Sequence, residues 1–306
     1  MTHRDELRGR LPGVVAIIAR VTPSAWRAAG ETFSWRGLRV FYRVGGQGAP
    51  LVLLHGFPTS SWDWSHVWDE LARGYRVIAL DYVGFGFSDK PAAGPYSIFA
   101  YADQVEALLA RLGVARAHVL AHDLGVTVAQ ELLARDRERL DADARCASVV
   151  FLNGGLLPEQ HRALRAQKLL NSPLGFALAR AMNRPMFERS LASVFGPRTK
   201  PSADELAGFW QCAAHAHGTR NYHRIIQYID ERKLYRERWV EPVLAPRIPT
   251  CFINGHRDPV SGRHLIERLR ELRPDAEVYD LPEIGHYPQV EAPGDVLRAY
   301  AKFRAR

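Results

Sequence analysis

The sequence predicts an α/β fold in which helices wrap a mostly parallel central sheet. Two observations lead to this prediction. From about residue 38 onward, short apolar runs alternate with stretches of helical periodicity, which is typical of parallel strands joined by helices. Residues 155–244 break this rhythm, because they show no convincing strand and carry aromatic-rich helical stretches separated by prolines. We therefore predict one α/β domain, residues 31–154 and 245–306, interrupted by a helical lid at 155–244.

The individual elements follow from the period of the apolar residues in each stretch. In the first part of the α/β domain we predict strands at 38–44, 51–54, 75–80, 117–121 and 148–153, and helices at 98–112 and 126–134. After Pro246 we predict a strand at 248–254, a helix at 262–272, a strand at 277–281 and a last helix from about Pro293. Sheets of this kind collect functional groups at the carboxyl ends of their strands, so the loops after these strands should contain the site.

Charge and cysteine content exclude several classes of function. The 306 residues carry a formal net charge of +8, which invites a nucleic-acid interpretation. The arginines are scattered through amphipathic helices without any nucleic-acid-binding motif, so we predict no nucleic-acid partner. Gly84-Phe85-Gly86 lacks the rest of a dinucleotide motif, and we predict no cofactor. Three distant cysteines without metal-ligand spacing indicate reduced thiols in the cytoplasm and no bound metal: Cys146, Cys212 and Cys251.

Residues 1–30 are predicted to form an N-terminal helical segment. Three arginines precede an apolar run at 11–19, which contains Pro12 and Gly13. This run is well short of the ~20 residues that a helix needs to span a bilayer. The sequence therefore favours a soluble protein over one that contacts a membrane through this segment, and it indicates no oligomeric state.

Asp123 stands out because it lies between a predicted buried strand and a predicted helix. Ala121 lies two residues before it and Gly125 two residues after, so A-H-D-L-G follows the pattern of a strained strand-turn-helix elbow around a nucleophile. Such an elbow directs the central side chain into a pocket at the helix N-terminus, where the helix dipole and free N–H groups stabilise an anion. An aspartate at this position could instead serve only as a helix N-cap.

Three further segments favour a catalytic aspartate over a cap. His55-Gly56-Phe57-Pro58 follows a buried strand, where the backbone N–H groups of Phe57 and Leu124 would together form an oxyanion hole. An aspartate follows one late strand and a histidine follows the last one, so nucleophile, acid and base come in the chain order typical of such elbow sites. The predicted catalytic residues are Asp123, Asp258 and His286.

The chain resembles the α/β-hydrolase superfamily, in particular its epoxide hydrolase and haloalkane dehalogenase branch, which uses an aspartate nucleophile. More closely, it is similar to the mesoderm-specific transcript protein family. The resemblance covers nearly the whole chain and implies an α/β-hydrolase fold with a helical lid. The matching segments are HGFPTSSWDW at 55–64, GFGFSDKP at 84–91, HDLG at 122–125, VAQEL at 128–132, FGP at 195–197, IQYI at 226–229 and GHYPQ at 285–289.

A carboxylate nucleophile changes the reaction that is expected. Asp123 is anionic at neutral pH and can attack a saturated carbon that bears a leaving group, which gives an alkyl ester of the enzyme. His286, oriented by Asp258, would then activate a water that hydrolyses this ester. The sequence favours an epoxide as the substrate, with a carbon–halogen bond as the alternative. An esterase and an inactive ligand receptor or scaffold are further alternatives.

The lid offers different side chains for an epoxide oxygen and for a halide as the leaving group. The resemblance implies that an epoxide oxygen meets a lid tyrosine, and we predict Tyr228, which lies in the matched IQYI stretch, ahead of Tyr222. A halide needs N–H donors, and Leu124 stands where many haloalkane dehalogenases carry a tryptophan. Trp210 in the lid could still donate, and Trp62 is predicted to line the pocket or to pack under the oxyanion loop. The apolar side chains of the lid suggest a small hydrophobic substrate.

Overall fold

The computed structural model describes residues 21–140 and 143–306, and its centre is an eight-stranded sheet. The strands are Glu31–Trp35 (β1), Leu38–Gly45 (β2), Ala49–Leu54 (β3), Tyr75–Leu80 (β4), Ala117–Ala121 (β5), Cys146–Phe151 (β6), Thr250–Gly255 (β7) and Glu277–Leu281 (β8). Their order in the sheet is β1-β2-β4-β3-β5-β6-β7-β8. β1 pairs with β2 and β2 with β4 in antiparallel fashion, and the other pairs are parallel.

Helices cover both faces of the sheet, so its middle strands are buried on both sides. The last four residues of β3, the last three of β5 and all of β7 are buried. A parallel strand between two helical layers has no solvent-facing side, which is why these stretches read as nearly continuous apolar runs rather than alternating ones. Their carboxyl ends meet at one edge of the sheet, and the loops that carry the candidate residues begin there.

Four helices precede the interruption of the α/β pattern: Pro23–Ala28 (α1), Ser65–Ala72 (α2), Ile98–Arg111 (α3) and Leu124–Glu138 (α4). Between β6 and β7 lies a helical insertion, residues 155–244, all of which the structure describes and in which it shows no strand. Its α-helices are Arg165–Leu170 (α5), Gly175–Ala181 (α6), Arg184–Ser193 (α7), Ala203–Ala214 (α8), Tyr222–Ile225 (α9), Tyr228–Leu234 (α10) and Arg236–Leu244 (α11). The chain ends with Arg263–Leu272 (α12), Pro288–Glu291 (α13) and Pro293–Arg304 (α14).

The predicted fold class is confirmed, and the predicted elements agree with the observed ones to within two residues at each end, except that α4 runs four residues further, to Glu138. The prediction missed β1, a short edge strand whose residues are mostly exposed. A two-residue turn joins it to β2, and both turn residues, Arg36 and Gly37, have positive φ, as in the turns preferred by tight hairpins.

Of the predicted N-terminal segment, residues 1–20 lie outside the described residues, and with them the apolar run at 11–19. α1 occupies part of the remainder. None of the helices in the described part of the chain combines the length and the hydrophobicity that a membrane crossing requires.

Candidate active site

Asp123 occupies the turn between β5 and α4, with a backbone conformation that non-glycine residues rarely adopt. Its φ of 49° and ψ of −109° lie outside the main allowed regions. Three hydrogen bonds hold this geometry: Asp123 N donates to the Asn153 carbonyl at 2.7 Å, and the Asp123 carbonyl accepts from Arg232 Nη2 at 3.1 Å and from Val126 N at 3.2 Å. A Cβ at Gly125 would lie 2.4 Å from the Leu54 carbonyl oxygen. The turn therefore needs the small residue that the sequence places there.

The carboxylate of Asp123 is buried and contacts both sides of the site. Oδ1 accepts a hydrogen bond from the backbone N–H of Phe57 at 2.8 Å, and Oδ2 lies 3.3 Å from His286 Nε2. The side chain makes no capping bond to α4, so a capping role does not explain it. Burial opposes its ionisation, but the hydrogen bond and charge of His286, with the charge of Arg232, lower the pKa of Asp123 below its ordinary value. Asp123 is therefore an anion at neutral pH.

His286 joins two carboxylates. Its Nδ1 lies 2.7 Å from Asp258 Oδ2, and its Nε2 faces Asp123. All three residues are at most 4% exposed, so solvent screens their charges little. Burial disfavours the imidazolium, but the two carboxylates outweigh it and raise the pKa of His286 to about 10. In the resting site, the histidine is a cation between two anions.

Asp258 is fixed by donors from three directions. It accepts hydrogen bonds from Val260 N at 2.7 Å, Ser261 Oγ at 2.6 Å and Asn153 Nδ2 at 3.0 Å. Burial raises the pKa of Asp258, but the charge of His286 and these hydrogen bonds together lower it below its ordinary value. The carboxylate is thus held both as an anion and in one orientation toward the histidine.

Sequence reasoning missed the role of Asn153, which it placed at the end of a strand. Besides binding Asp258, its side-chain oxygen accepts from Gly255 N at 2.7 Å and its Nδ2 donates to Gly255 O at 2.9 Å. Asn153 therefore clamps the ends of β6 and β7 together beneath the acid. The sequence did contain a signal for this role, namely a polar amide at the carboxyl end of an apolar strand. A buried amide has to be hydrogen-bonded, so partners for it could have been expected.

The loop after β3 completes the sheet side of the site. The predicted oxyanion donor Phe57 N binds Asp123 in the resting structure, and the other predicted donor, Leu124 N, lies at the start of α4. A Cβ at Gly56 would lie 2.5 Å from the Asp123 Cβ, so glycine allows this close approach. Burial lowers the pKa of His122 to about 3, and its neutral ring pairs with the His286 carbonyl through Nε2 at 2.7 Å.

The helical insertion packs Arg232 of α10 directly behind Asp123. Arg232 is 1% exposed, and besides holding the Asp123 carbonyl its Nε donates to Thr127 Oγ1 at 2.7 Å. Its guanidinium carbon lies 4.5 Å from the centre of the Tyr228 ring. A Cβ at Gly155 would lie 2.1 Å from Arg232 Nη1, so a side chain there would displace the guanidinium. The sequence contained no signal for Arg232 beyond its spacing of four residues from Tyr228.

The two predicted tyrosines differ in what their hydroxyl groups do. Tyr222 donates to the Pro58 carbonyl at 2.8 Å. Tyr228 is fully buried, and its hydroxyl makes no hydrogen bond of normal geometry among the described residues. Burial and the negative charge of Asp123 raise the pKa of Tyr228, whereas Arg232 opposes this rise. Of the two predicted tyrosines, Tyr228 is therefore the one whose hydroxyl is free to donate, a feature it shares with Tyr287, the buried neighbour of His286 in the chain.

An apolar cavity of about 120 Å³ leads from the insertion to His286 and Phe57. Of the two predicted tyrosines, Tyr222 lies on its wall and Tyr228 does not. The other wall residues come largely from α5 to α7 and are mainly Leu, Met and Phe, among them Leu170, Leu178, Met186 and Leu191. A cavity of this composition suits a small hydrophobic molecule.

The predicted pocket positions of Trp62 and Trp210 are corrected by the structure, which places neither on the wall of this cavity. The indole of Trp62 donates to the Val21 carbonyl at 2.8 Å and packs edge-on against Phe209. Trp210 packs against Phe187, with the ring centres 5.5 Å apart. Both indoles fill the packing around α8, because their helix faces point toward neighbouring elements rather than toward the catalytic residues.

Known proteins resemble this chain in both sequence and fold. Residues 49–293 match the family described as alpha/beta hydrolase fold. The chain is 45% identical over 290 residues to the mesoderm-specific transcript homolog protein of Bos taurus, covering 91% of this chain and 87% of that protein. It is 27% identical over 266 residues to haloalkane dehalogenase 2 of Mycobacterium bovis, covering 85% and 90%. The crystal structure of haloalkane dehalogenase DatA from Agrobacterium tumefaciens C58 has a TM-score of 0.76 at 19% identity, covering 90% and 96%.

Proposed function

The chain belongs to the α/β-hydrolase family, and within it to the mesoderm-specific transcript protein family, and we propose that its hydrolytic reaction uses Asp123 as the nucleophile. The favoured substrate is a small apolar epoxide. The observation that carries this proposal is the position of the Asp123 carboxylate, which accepts from Phe57 N at 2.8 Å through one oxygen and faces His286 Nε2 at 3.3 Å through the other. A carboxylate held as an anion in an elbow is ready to attack without prior loss of a proton.

In the first half-reaction, an oxygen of Asp123 attacks a ring carbon of the epoxide. An ester C–O bond forms, and the epoxide C–O bond breaks with its electron pair going to the ring oxygen. That oxygen takes the hydroxyl proton of Tyr228. The resulting phenolate lies beside the guanidinium of Arg232, whose charge stabilises it.

The charge balance of the site then changes in a way that frees His286 to act as a base. The Asp123 carboxylate is one of the two anions that keep the imidazolium protonated. Ester formation removes that negative charge, so the pKa of His286 falls and its proton passes through solvent to the Tyr228 phenolate. Asp258 remains in place and holds the neutral ring by its Nδ1–H.

In the second half-reaction, His286 takes a proton from a water molecule, and the hydroxide adds to the ester carbonyl carbon of Asp123. The N–H groups of Phe57 and Leu124 stabilise the oxyanion that forms. When the intermediate breaks down, the diol oxygen leaves with the proton from His286. Asp123 is released as the acid, gives its proton back to His286, and retains one oxygen from water.

The leaving group decides between an epoxide and a haloalkane. Tyr228 offers a free hydroxyl for an alkoxide, whereas the groups that would hold a halide are missing from this side of the site. Leu124 has no side-chain donor, and the indole N–H of Trp62 is bound to a backbone carbonyl. Haloalkane hydrolysis is the second candidate, because relatives of the chain are named haloalkane dehalogenases.

Isotope labelling and a trapping variant test the nucleophile. A single turnover in ¹⁸O water with enzyme in excess should place one ¹⁸O in the carboxylate of Asp123, detected as a mass increase of the peptide that contains it. In His286→Gln the ester should accumulate as a covalent adduct whose mass matches the substrate, since the base is missing. Epoxides and haloalkanes of equal chain length, tested in parallel, identify the leaving group.

His256→Gln is a matched control, because His256 also pairs with an aspartate, Asp280, at 2.8 Å but on the surface. It should neither accumulate an adduct nor lose turnover. Label found only in the product, together with no adduct in His286→Gln, would contradict an aspartate nucleophile and favour direct attack by water.

A further inference from the structure

Exposed apolar side chains are concentrated on α5 to α7. Leu169, Leu174, Phe176 and Met186 are 42%, 66%, 52% and 38% exposed. They are four of only seven large hydrophobic residues exposed in the described part of the chain, yet they lie within 18 residues. Single exposed apolar residues are ordinary, whereas a cluster of them marks a surface that contacts something else. We call the outward surface of α5 to α7, residues 165–193, the docking face.

The docking face and the residues on either side of it carry most of the net charge of the protein. Residues 162–200 contain eight Lys and Arg residues and one acidic residue, Glu188, a net charge of +7 in a chain whose total is +8. Elsewhere in the protein, arginines form ion pairs with carboxylates, as Arg135 and Arg238 do with Glu131. On the docking face, the structure records no ion pair within its described residues for several exposed cations: Arg165, Lys168, Arg180 and Arg189.

Apolar and cationic groups meet in one cleft at the edge of this face. Phe176 and Arg180 of α6 line it together with Arg220 and Arg224, and its volume is about 310 Å³. Arg180 lies 3.7 Å from the centre of the Phe176 ring. Neither Arg220 nor Arg224 has a carboxylate partner among the described residues. An apolar ring framed by uncompensated guanidinium groups matches a surface that is apolar inside and negatively charged outside.

The substrate cavity opens between the same helices. α5, α6 and α7 contribute Leu170, Leu178 and Leu191 to its wall, and Met186 both lines the cavity and is exposed. The inner sides of these helices therefore line the cavity that reaches His286, and their outer sides form the docking face. A hydrophobic molecule dissolved in a bilayer would reach the cavity without crossing water.

We propose that the docking face binds the surface of an anionic phospholipid bilayer and turns the mouth of the cavity toward it. A second copy of the chain fits this face poorly, because two such faces of net charge +4 would repel each other. An anionic bilayer provides both partners that the face lacks: phosphate groups for the unpaired cations and acyl chains for Leu174 and Phe176. The proposal concerns binding, so it does not depend on which bond the enzyme hydrolyses.

Co-sedimentation of the full chain with vesicles tests the proposal. We expect binding to vesicles of phosphatidylcholine with 30% phosphatidylglycerol and little binding to pure phosphatidylcholine. The triple variant Arg165→Gln, Arg180→Gln, Arg224→Gln should bind on the order of 100-fold more weakly, since each cation near an anionic surface contributes about 1 kcal/mol. Leu174→Ser with Phe176→Ser should also weaken binding, and its loss should persist at high salt, because the contact it removes is apolar.

A charge-matched control separates this face from net charge alone. Arg36→Gln, Arg73→Gln, Arg298→Gln removes the same charge from ion pairs elsewhere on the surface and should leave vesicle binding almost unchanged. Equal loss in both triple variants, or no loss in either, would overturn the proposal. Dimers of the wild type in light scattering that dissociate in Leu174→Ser with Phe176→Ser would also overturn it and assign the face to a second copy.

A fluorescent dye attached at a single position tests which part of the protein surface contacts the vesicle. The three native cysteines are buried, so an environment-sensitive dye can be attached at Leu174→Cys, with Leu140→Cys, a position that is 77% exposed on the α/β part, as the control. A blue shift on anionic vesicles at position 174 but not at 140 is the expected result. Equal shifts, or a shift only at 140, would contradict docking through this face.

Discussion

The two sides of the candidate site are held in different ways. On the sheet side, Asp123, Asp258 and His286 each follow a strand, and hydrogen bonds to neighbouring strand ends fix them, as Asn153 does for Asp258 at 3.0 Å. On the insertion side, Tyr228 and Arg232 come from one short helix, and the Tyr228 hydroxyl makes no hydrogen bond of normal geometry among the described residues. Under the proposed mechanism, the sheet therefore fixes the reacting groups and the insertion supplies the group that can be exchanged to suit a leaving atom.

If this division is correct, changes on the sheet side should stop one chemical step for every substrate, and Asp258→Asn should have the largest effect. An amide cannot hold His286 in the required tautomer or stabilise its charge. We expect ester hydrolysis to slow by about 10³- to 10⁴-fold while ester formation continues, so that the covalent adduct accumulates. Rapid quenching followed by mass spectrometry measures the two steps separately.

Asp280→Asn is the control for this change, because Asp280 binds His256 on the surface at 2.8 Å and should leave both steps intact. Equal slowing of both steps in Asp258→Asn would break the proposed separation, since it would mean that Asp258 also maintains the geometry of the nucleophile.

A change on the insertion side should instead depend on the substrate. Tyr228→Phe removes the hydroxyl that we propose as the proton donor and keeps the ring beside Arg232. Epoxide opening should slow on the order of 10²-fold, the usual contribution of a positioned proton donor, while any haloalkane turnover stays unchanged. Steady-state rates on the two substrate series measure this difference.

Tyr222→Phe provides the comparison, since the Tyr222 hydroxyl is bound to the Pro58 carbonyl and its loss should change epoxide turnover only slightly. A larger loss in Tyr222→Phe than in Tyr228→Phe would exchange the roles of the two tyrosines.

The same division explains what the sequence could predict. Strand ends carry local signals, namely an apolar run followed by a polar residue, and Asp123, Asp258 and His286 all have this form. The structure brings these three together at hydrogen-bond distances. Arg232 had no such signal, because only the packing of α10 onto α4 brings its guanidinium to the Asp123 carbonyl. Trp62 and Trp210 show the same limit. Their places in the chain suggested a pocket residue and an indole donor, but tertiary packing places both around α8.

Arg232 offers the finest test of how the insertion supports the sheet side. It is fully buried, and no carboxylate pairs with it among the described residues except through the charge of the nearby Asp123. Its Nη1 makes no hydrogen bond of normal geometry. A buried guanidinium with incomplete partners costs stability, so its presence points to a role in the site rather than in folding.

In Arg232→Met we therefore expect ester formation to slow by about tenfold while the melting temperature stays equal or rises, because a buried charge replaced by an apolar side chain of similar volume is often neutral or stabilising. The Thr127 hydroxyl can then donate to the Asp123 carbonyl four residues earlier. Since Arg232 lowers the pKa of Asp123, its loss should raise that pKa, and ester formation should begin to fall at a higher pH on the acid side.

Arg238→Met is the control and should behave in the opposite way, because Arg238 pairs with the buried Glu131 at 2.7 Å. Its melting temperature should fall, and the rate of ester formation should not. If Arg232→Met instead lowers the melting temperature without slowing ester formation, Arg232 acts only in packing. The sheet alone would then hold Asp123 in place.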